Sequence, residues 1–519
     1  MSDHLSVAGR FSDMKHPFAV LLAIGLALRL IIAPLFTFNI DMGYWAEAID
    51  VFQNGFGLYG TAGYYYTPVW GYYLGSVASF MDVFGITDYG VYVPELVPFV
   101  YSDFSVHPFV TSIEFNFILK LPLILVDAAT GWLIYHIVTK YSGDRNKALL
   151  AFALWFFCPL VITESAFHGT FDNMSVMMLL AAIALMMDGK YVLAGAAFST
   201  ACLTKFFPVF MIFFLVAYVL RKEGVDSKGV KCVLAATGGA IGAFILIYLP
   251  NILRGDLWQS LYFLASRLAV SKETLSSIGA GATALIIAAV AALILLVAFV
   301  VVRYGKVFIE RMNAMDERVR NLKAAKVFAV AAAVAILAVV AMFVAKALLN
   351  ADGPAFGGSE LVLLVSVFSV FLEMYLAFRL LTLKEMTTEK VFTIMFLSGI
   401  AIILWTSAAS YTVVMLPFIC IYAAMIDRRF VKPYILFTVL YTLTEASSFI
   451  LSPTSMIVHL LDMDISVILP LYEMIANPVF LGISGAMVIT VVLGWPGYLA
   501  MLYISYKWYH GYYERWRTA

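Results

Sequence analysis

Long apolar runs alternate with short polar ones along almost the whole chain. The runs fall at residues 18–38, 117–138, 148–163, 173–187, 191–204, 206–220, 232–250, 279–302, 327–349, 360–379, 391–408, 411–426, 434–451 and 482–505. Many approach the roughly 20 residues that an α-helix needs to cross a bilayer. They are continuous, whereas the strands of a membrane barrel would read as short alternating segments. The pattern predicts an all-α integral membrane bundle of about 13–14 transmembrane helices.

One segment breaks the rhythm. Residues 39–116 are too polar to lie in lipid throughout and form a large first external loop. Its charges are Asp41, Glu47, Asp50, Asp82, Asp88, Glu95, Asp103 and Glu114, and no Lys or Arg occurs in it before Lys120. After Asp41, Tyr44, Ala48 and Phe52 recur every four residues, with Trp45 and Ile49 beside them and Glu47 and Asp50 opposite. This predicts an amphipathic helix along the outer membrane surface. Asp41 would cap it, where backbone N–H groups keep a carboxylate ionised. Thr67-Pro68 predicts a second surface helix, with Thr67 as its cap.

Composition agrees with the pattern. The chain of 519 residues is 63% hydrophobic and 13% charged, against about half and a quarter in soluble domains. Cys158, Cys202, Cys232 and Cys420 all sit in apolar runs without zinc or disulfide spacing, and read as small core residues. The first run is too long for a signal peptide and reads as a retained anchor.

Net charge is zero, so the total says nothing of partners, but the distribution does. With the N-terminus in the cytoplasm, segments 1–17, 139–147, 188–190, 221–231, 303–326, 379–390, 427–433 and 506–519 hold 26 of the 33 lysines and arginines. Positive charge favours the cytoplasmic side, so both termini are placed there. Segments 188–190 and 221–231 then share a side. The 30 residues between them must form a hairpin of two short arms, turning near Lys205 and Pro208. The mixed-charge stretch 304–326 separates a first module, 1–303, from a C-terminal transmembrane module, 327–519. The second half shows few buried charges and reads as packing.

Charges at membrane depth are costly and concentrate at functional sites. Arg29 lies mid-way along the first crossing, and Lys120 and Asp127 lie in the second. Arg29 and Asp127 suit a structural buried pair, and Lys120 suits snorkelling to the outer surface. The short outer turn Glu164–Asn173 offers Glu164, His168 and Asp172 between two apolar helices. Asp172 could cap the next helix or hold a ligand. Tyr66 could belong to an aromatic belt or stack on a sugar ring. Outside the membrane, Arg267 and Lys205 are cations able to receive a phosphate, Arg267 with paired donors. No cluster has metal-ligand spacing.

Together the pieces NIDMGYW around Asp41, Tyr66–Pro68, Lys120 with Asp127, FHGTFDN (Phe167–Asn173), LTKFFPVF (Leu203–Phe210) and SRLAVSKETLSSI (Ser266–Ile278) resemble the GT-C superfamily of membrane glycosyltransferases. The resemblance is to the mannosyltransferase branch that includes GPI mannosyltransferase I and bacterial polyprenyl-phosphate-mannose enzymes, and covers residues 18–280. Family members often pair two acids in the first loop, whereas Met42 and Gly43 follow Asp41 here.

The resemblance implies a GT-C-like bundle with surface helices in the first external loop. It implies transfer of a hexose, with mannose expected, from a polyprenyl- or dolichyl-phosphate donor to an acceptor hydroxyl on a glycan, glycolipid or protein. Asp41 would be the catalytic base, and Arg267 and Lys205 would bind the donor phosphate. His168, Asp172, Glu164, Asp50 and Tyr66 would bind sugar or acceptor. The reaction would invert the anomeric centre in one displacement, without metal, cofactor or nucleic acid. It would occur on the non-cytoplasmic face of a prokaryotic plasma membrane, or else in the endoplasmic reticulum lumen. The competing reading is a flippase or transporter of lipid-linked sugars.

Overall fold

The computed structural model describes residues 16–37, 41–54, 59, 64, 66–99, 108–262, 279–320, 358–383, 385–401, 409–445, 453–476 and a few positions up to 492. The chain is an all-α integral membrane protein. Its helices are α1 (Pro17–Leu35), α2 (Asp41–Gln53), α3 (Pro68–Val83), α4 (Ile113–Ser142), α5 (Arg145–Phe156), α6 (Asp172–Met187), α7 (Tyr191–Thr204) and α8 (Ile212–Glu223). Next come α9 (Ser227–Arg254), α10 (Ala280–Arg320), α11 (Gly358–Leu381), α12 (Thr388–Ala401), α13 (Leu416–Met425), α14 (Val431–Glu445) and α15 (Leu469–Ala476). In the first loop, strands β1 (Gly90–Tyr92) and β2 (Phe109–Thr111) pair antiparallel.

Among the described residues, α1, α4, α9 and the Gly281–Arg311 part of α10 are long and apolar enough to cross a membrane. A fifth span exists if α5 and the segment Pro159–His168, bent by 52°, count as one. The sequence pattern predicts a straight crossing at 148–163. Pro159 opens a new helical turn there, because its ring cannot continue the preceding one. The bend carries residues 164–168 into the protein. Glu164, His168 and Asp172 of the expected outer turn are therefore buried.

The two-armed hairpin is present. The arms are α7 and α8, and between them Lys205 has extended backbone (φ −142°, ψ 145°). Their far ends meet, with Tyr191 Oη donating to Glu223 Oε1 at 2.6 Å, and Lys222 Nζ of α8 donates to the Met187 carbonyl at the end of α6 at 2.8 Å. Other links join the same end. Lys140 pairs with Asp188, Arg221 Nη2 donates to the Leu383 carbonyl at 2.6 Å, and Lys147 Nζ to that of Met425 at 3.2 Å. Segments 139–147, 188–190, 221–231 and 379–390 thus gather at one end of the bundle, and Lys205 lies at the other.

One continuous core joins α4–α8 to α11–α14, with Phe152, Trp155 and Phe156 at its centre. A smaller aromatic core holds the first loop. The buried stripe of α2 is Met42, Trp45, Ala46 and Ile49, packed with Trp70 and Leu74 of α3. Tyr44 and Phe52 of the predicted stripe are exposed instead. The helix is amphipathic, but its apolar face is turned onto the protein. Thr67 precedes α3 without a side-chain cap; its hydroxyl donates to the Leu203 carbonyl at the end of α7.

Helices α7 and α9 approach closely through glycines. A Cβ on Gly195 would overlap the Ala236 carbonyl, and one on Gly239 that of Val192. Small residues let helix backbones meet where lipid gives no hydrophobic drive. Gly195→Val is expected to cost roughly 1–3 kcal/mol by overpacking, read as a lower Tm of the purified protein in detergent. Gly238→Val, with open space around its Cβ, is the control. Equal Tm values for both variants would contradict the close packing.

Candidate active site

Two polar layers lie at the end of the bundle opposite the basic cluster. The deeper one is centred on Asp127. Arg29 Nε of α1 donates to its Oδ2 at 2.9 Å, with both side chains fully buried. Ser165 Oγ donates to the same oxygen at 2.5 Å and Asn173 Nδ2 to Oδ1 at 2.6 Å. The Arg29 guanidinium also lies 4.2 Å from the Phe156 ring centroid. One carboxylate therefore ties α1, the π-helical turn Thr163–His168 and α6 to α4.

About two turns from Asp127 along α4, Lys120 secures the exit of α1. It does not snorkel outward. It is fully buried and donates to the carbonyls of Ala33 at 3.1 Å and Phe36 at 2.5 Å, which the end of a helix leaves without partners. Asn116 Nδ2 donates to Thr37 Oγ1 at 3.0 Å, and Thr111 Oγ1 to Asn116 Oδ1 at 2.6 Å. The chain thus leaves α1 in a defined direction, toward Asp41.

The outer layer collects Asp41, Glu164, His168, Asp172, Lys205 and Tyr66. His168 Nδ1 is 3.6 Å from Glu164 Oε2, which accepts a 2.5 Å hydrogen bond from Thr170 Oγ1. Lys205 Nζ is 3.3 Å from Asp172 Oδ2. Its amine also lies 4.3 Å from the Phe171 ring centroid and 5.5 Å from that of Tyr66, a cation–π setting. Gly169 has φ +66°, and a Cβ there would meet Met42 Sδ at 2.5 Å. Only glycine lets the 168–170 turn sit this close to the start of α2.

Asp41 is partly buried in the first turn of α2. Burial raises its carboxyl pKa above the usual value; His168 and Lys205 oppose this shift and Glu164 adds to it. Desolvation thus acts on this acid against the favourable field of the helix start. A more basic carboxylate is a better proton acceptor near neutral pH.

Asp50 is not brought into this cluster. It is exposed, and nine residues place it on the opposite face of α2, roughly 13 Å along the axis. Arg267 lies outside the described residues. Thr170, which braces Glu164, carries no mark of its own in the sequence, and Thr67, expected as a cap, instead ties the first loop to Leu203. FHGTFDN contains Thr170, but nothing local marks its bond to Glu164. Glu373 of α11 is a further buried acid, so the second half is less purely apolar than it reads. Among the described residues no group of three His, Cys, Asp or Glu side chains could hold a metal ion.

The structure thus defines an integral membrane protein with a buried acid–base cluster at one end of its bundle. Residues 110–253 match the family of dolichyl-phosphate-mannose-protein mannosyltransferases. The match supports a membrane glycosyltransferase of the mannosyltransferase type. It spans Lys120, Asp127, Glu164, His168, Asp172 and Lys205, while Asp41 precedes it. No curated protein matches the chain.

The Asp127 network generates a test. Asp127→Ala leaves Arg29 buried without its counter-charge and is expected to destabilise by about 3–5 kcal/mol. Arg29→Met combined with Asp127→Leu should recover a large part of that loss. Additive losses in Tm would show that the two residues are not coupled.

Proposed function

We propose that the protein transfers a hexose, mannose, from a polyprenyl-phosphate donor to an acceptor hydroxyl on the non-cytoplasmic face of its membrane. The observation that carries this reading is one cluster joining Asp41, a carboxylate of raised basicity, to Lys205, a buried cation held by Asp172 and two rings. The matched family uses a lipid phosphate-linked mannose by its printed description.

In this scheme the acceptor hydroxyl gives its proton to Asp41 as its oxygen bonds to the anomeric carbon. The bond from that carbon to the phosphate oxygen breaks on the opposite side, and the electron pair leaves with the lipid phosphate. The anomeric centre inverts in a single displacement. Lys205, together with Arg267, stabilises the charge that develops on the phosphate. Glu164, His168, Asp172 and Tyr66 hold sugar or acceptor hydroxyls. Such a reaction calls on no metal from this cluster. Residues 1–303 form the catalytic module, and 327–519 complete the bundle beyond the 304–326 connector.

Asp41→Asn should lower transfer from polyprenyl-phosphate mannose by at least about a thousandfold, as expected for loss of a general base, with expression and Tm retained. Full activity in that variant rejects the base assignment. In the wild type, the acid limb of kcat/KM should lie above the ordinary carboxylate pKa of about 4. Below it Asp41 is protonated and inactive. Glu164→Gln removes a charge that raises the Asp41 pKa, so the limb should move to lower pH. A shift to higher pH would contradict the arrangement.

A further inference from the structure

The reaction scheme leaves unused a group of tyrosines between the first loop and α9. The rings of Tyr59 and Tyr64 lie edge to face with centroids 5.6 Å apart, and Tyr64 lies 6.1 Å from Tyr66, beside the Lys205 amine. Two hydroxyls are committed to backbone. Tyr59 donates to the Tyr66 carbonyl and Tyr64 to that of Thr67, each at 2.8 Å. From the neighbouring helix α3, Tyr72 donates to the Ile247 carbonyl of α9 at 2.6 Å. The next residue is Tyr248, which lies within electrostatic reach of Tyr59 and Tyr64.

Tyr248 differs from the others. It is wholly buried and stacked on Phe244 at 4.6 Å. Its hydroxyl has no hydrogen-bond partner among the described residues. A tyrosine that anchors a helix at the membrane interface holds its hydroxyl in the headgroup layer; this one is shut away from it. Leaving such a donor unsatisfied carries its full desolvation cost, and phenylalanine would fill the same space without it.

We propose that Tyr248 is a saccharide-binding residue, donating its hydroxyl to an oxygen of a hexopyranose ring held against the Tyr59–Tyr64–Tyr66 wall. Aromatic faces take the apolar side of a sugar ring, and one fixed donor sets its orientation. The inference rests on the glycosyl-transfer reading and names a subsite for it. The ring belongs to the donor's hexose or to a saccharide acceptor, and both offer the same hydroxyl chemistry.

The test is Tyr248→Phe in the full chain, purified in detergent. Octyl α-mannoside serves as a phosphate-free probe, and sugar-free polyprenyl phosphate as the comparison. Binding is followed by intrinsic fluorescence, since Trp45 lies 5.7 Å from Tyr66. The mannoside Kd should rise about tenfold, equivalent to ~1.4 kcal/mol, with the polyprenyl phosphate Kd within twofold of wild type. Tm should hold or rise, as the unpartnered hydroxyl is gone. In steady-state transfer, a raised KM for donor alone or acceptor alone then tells which hexose occupies the subsite. Equal mannoside affinity in the two proteins overturns the proposal, as does a loss confined to polyprenyl phosphate. A wild type that binds mannoside but transfers nothing would defeat the catalytic reading and leave the subsite standing.

Discussion

The arrangement depends on one buried carboxylate. Asp127 accepts from Arg29, Ser165 and Asn173, and each donor comes from a different part of the chain. In lipid no water can replace a lost partner, so a charge at this depth must be matched by protein. Satisfying Asp127 therefore fixes three things at once: the height of α1 against α4, the bend after α5, and the start of α6. Trp155 adds a fourth, donating its indole N–H to the Asp127 carbonyl at 3.0 Å. Hydrophobic packing alone would leave these helices free to slide by part of a turn.

The outer layer inherits its geometry from that register. Lys120 and the Asn116–Thr37–Thr111 chain direct the exit of α1 toward Asp41. Ser165 and Asn173 hold the two ends of the segment carrying His168 and Asp172. The layers differ in how fully they are satisfied. Asp127 has donors on both oxygens, which suits a structural role. Asp172 Oδ1 has no hydrogen-bond partner among the described residues, and Asp41 is held by longer-range charges. Groups with unspent capacity are those able to accept a substrate's hydroxyls.

What could be read from the chain follows physical range. Counting Lys and Arg assigns eight segments to one side, a coarse one-dimensional constraint, and four of them, 139–147, 188–190, 221–231 and 379–390, gather at one end of the structure. The Lys205 hairpin follows from the same arithmetic. Helix faces were less legible. The predicted face joins Tyr44, Ala48 and Phe52 with Trp45 and Ile49, and only the tertiary partner, Trp70 on α3, decides that Trp45 and Ile49 are buried with Met42 while Tyr44 and Phe52 are exposed. Thr67 has every local mark of a cap, yet bonds to Leu203, 136 residues away. Lys120 lies near enough to the surface to snorkel, but the carbonyls at the end of α1 are closer. Glu373 passed unnoticed because a single acid in a long apolar run carries no signal of its partner.

The hairpin also bears on where chemistry can occur. Helix α7 has 14 residues, about 21 Å of rise against a hydrocarbon core of about 30 Å. An arm of that length starting at one membrane face would end short of the other. The Thr67–Leu203 bond closes the first loop over the turn at its end. Lys205 is thus a buried cation with Asp172 as its counter-charge, held between the rings of Tyr66 and Phe171. In the proposed reaction the lipid phosphate comes to the cation. That favours a donor whose chain remains in the bilayer while its sugar reaches Asp41, and it disfavours a soluble nucleotide sugar, which would have to bring its charges down from water.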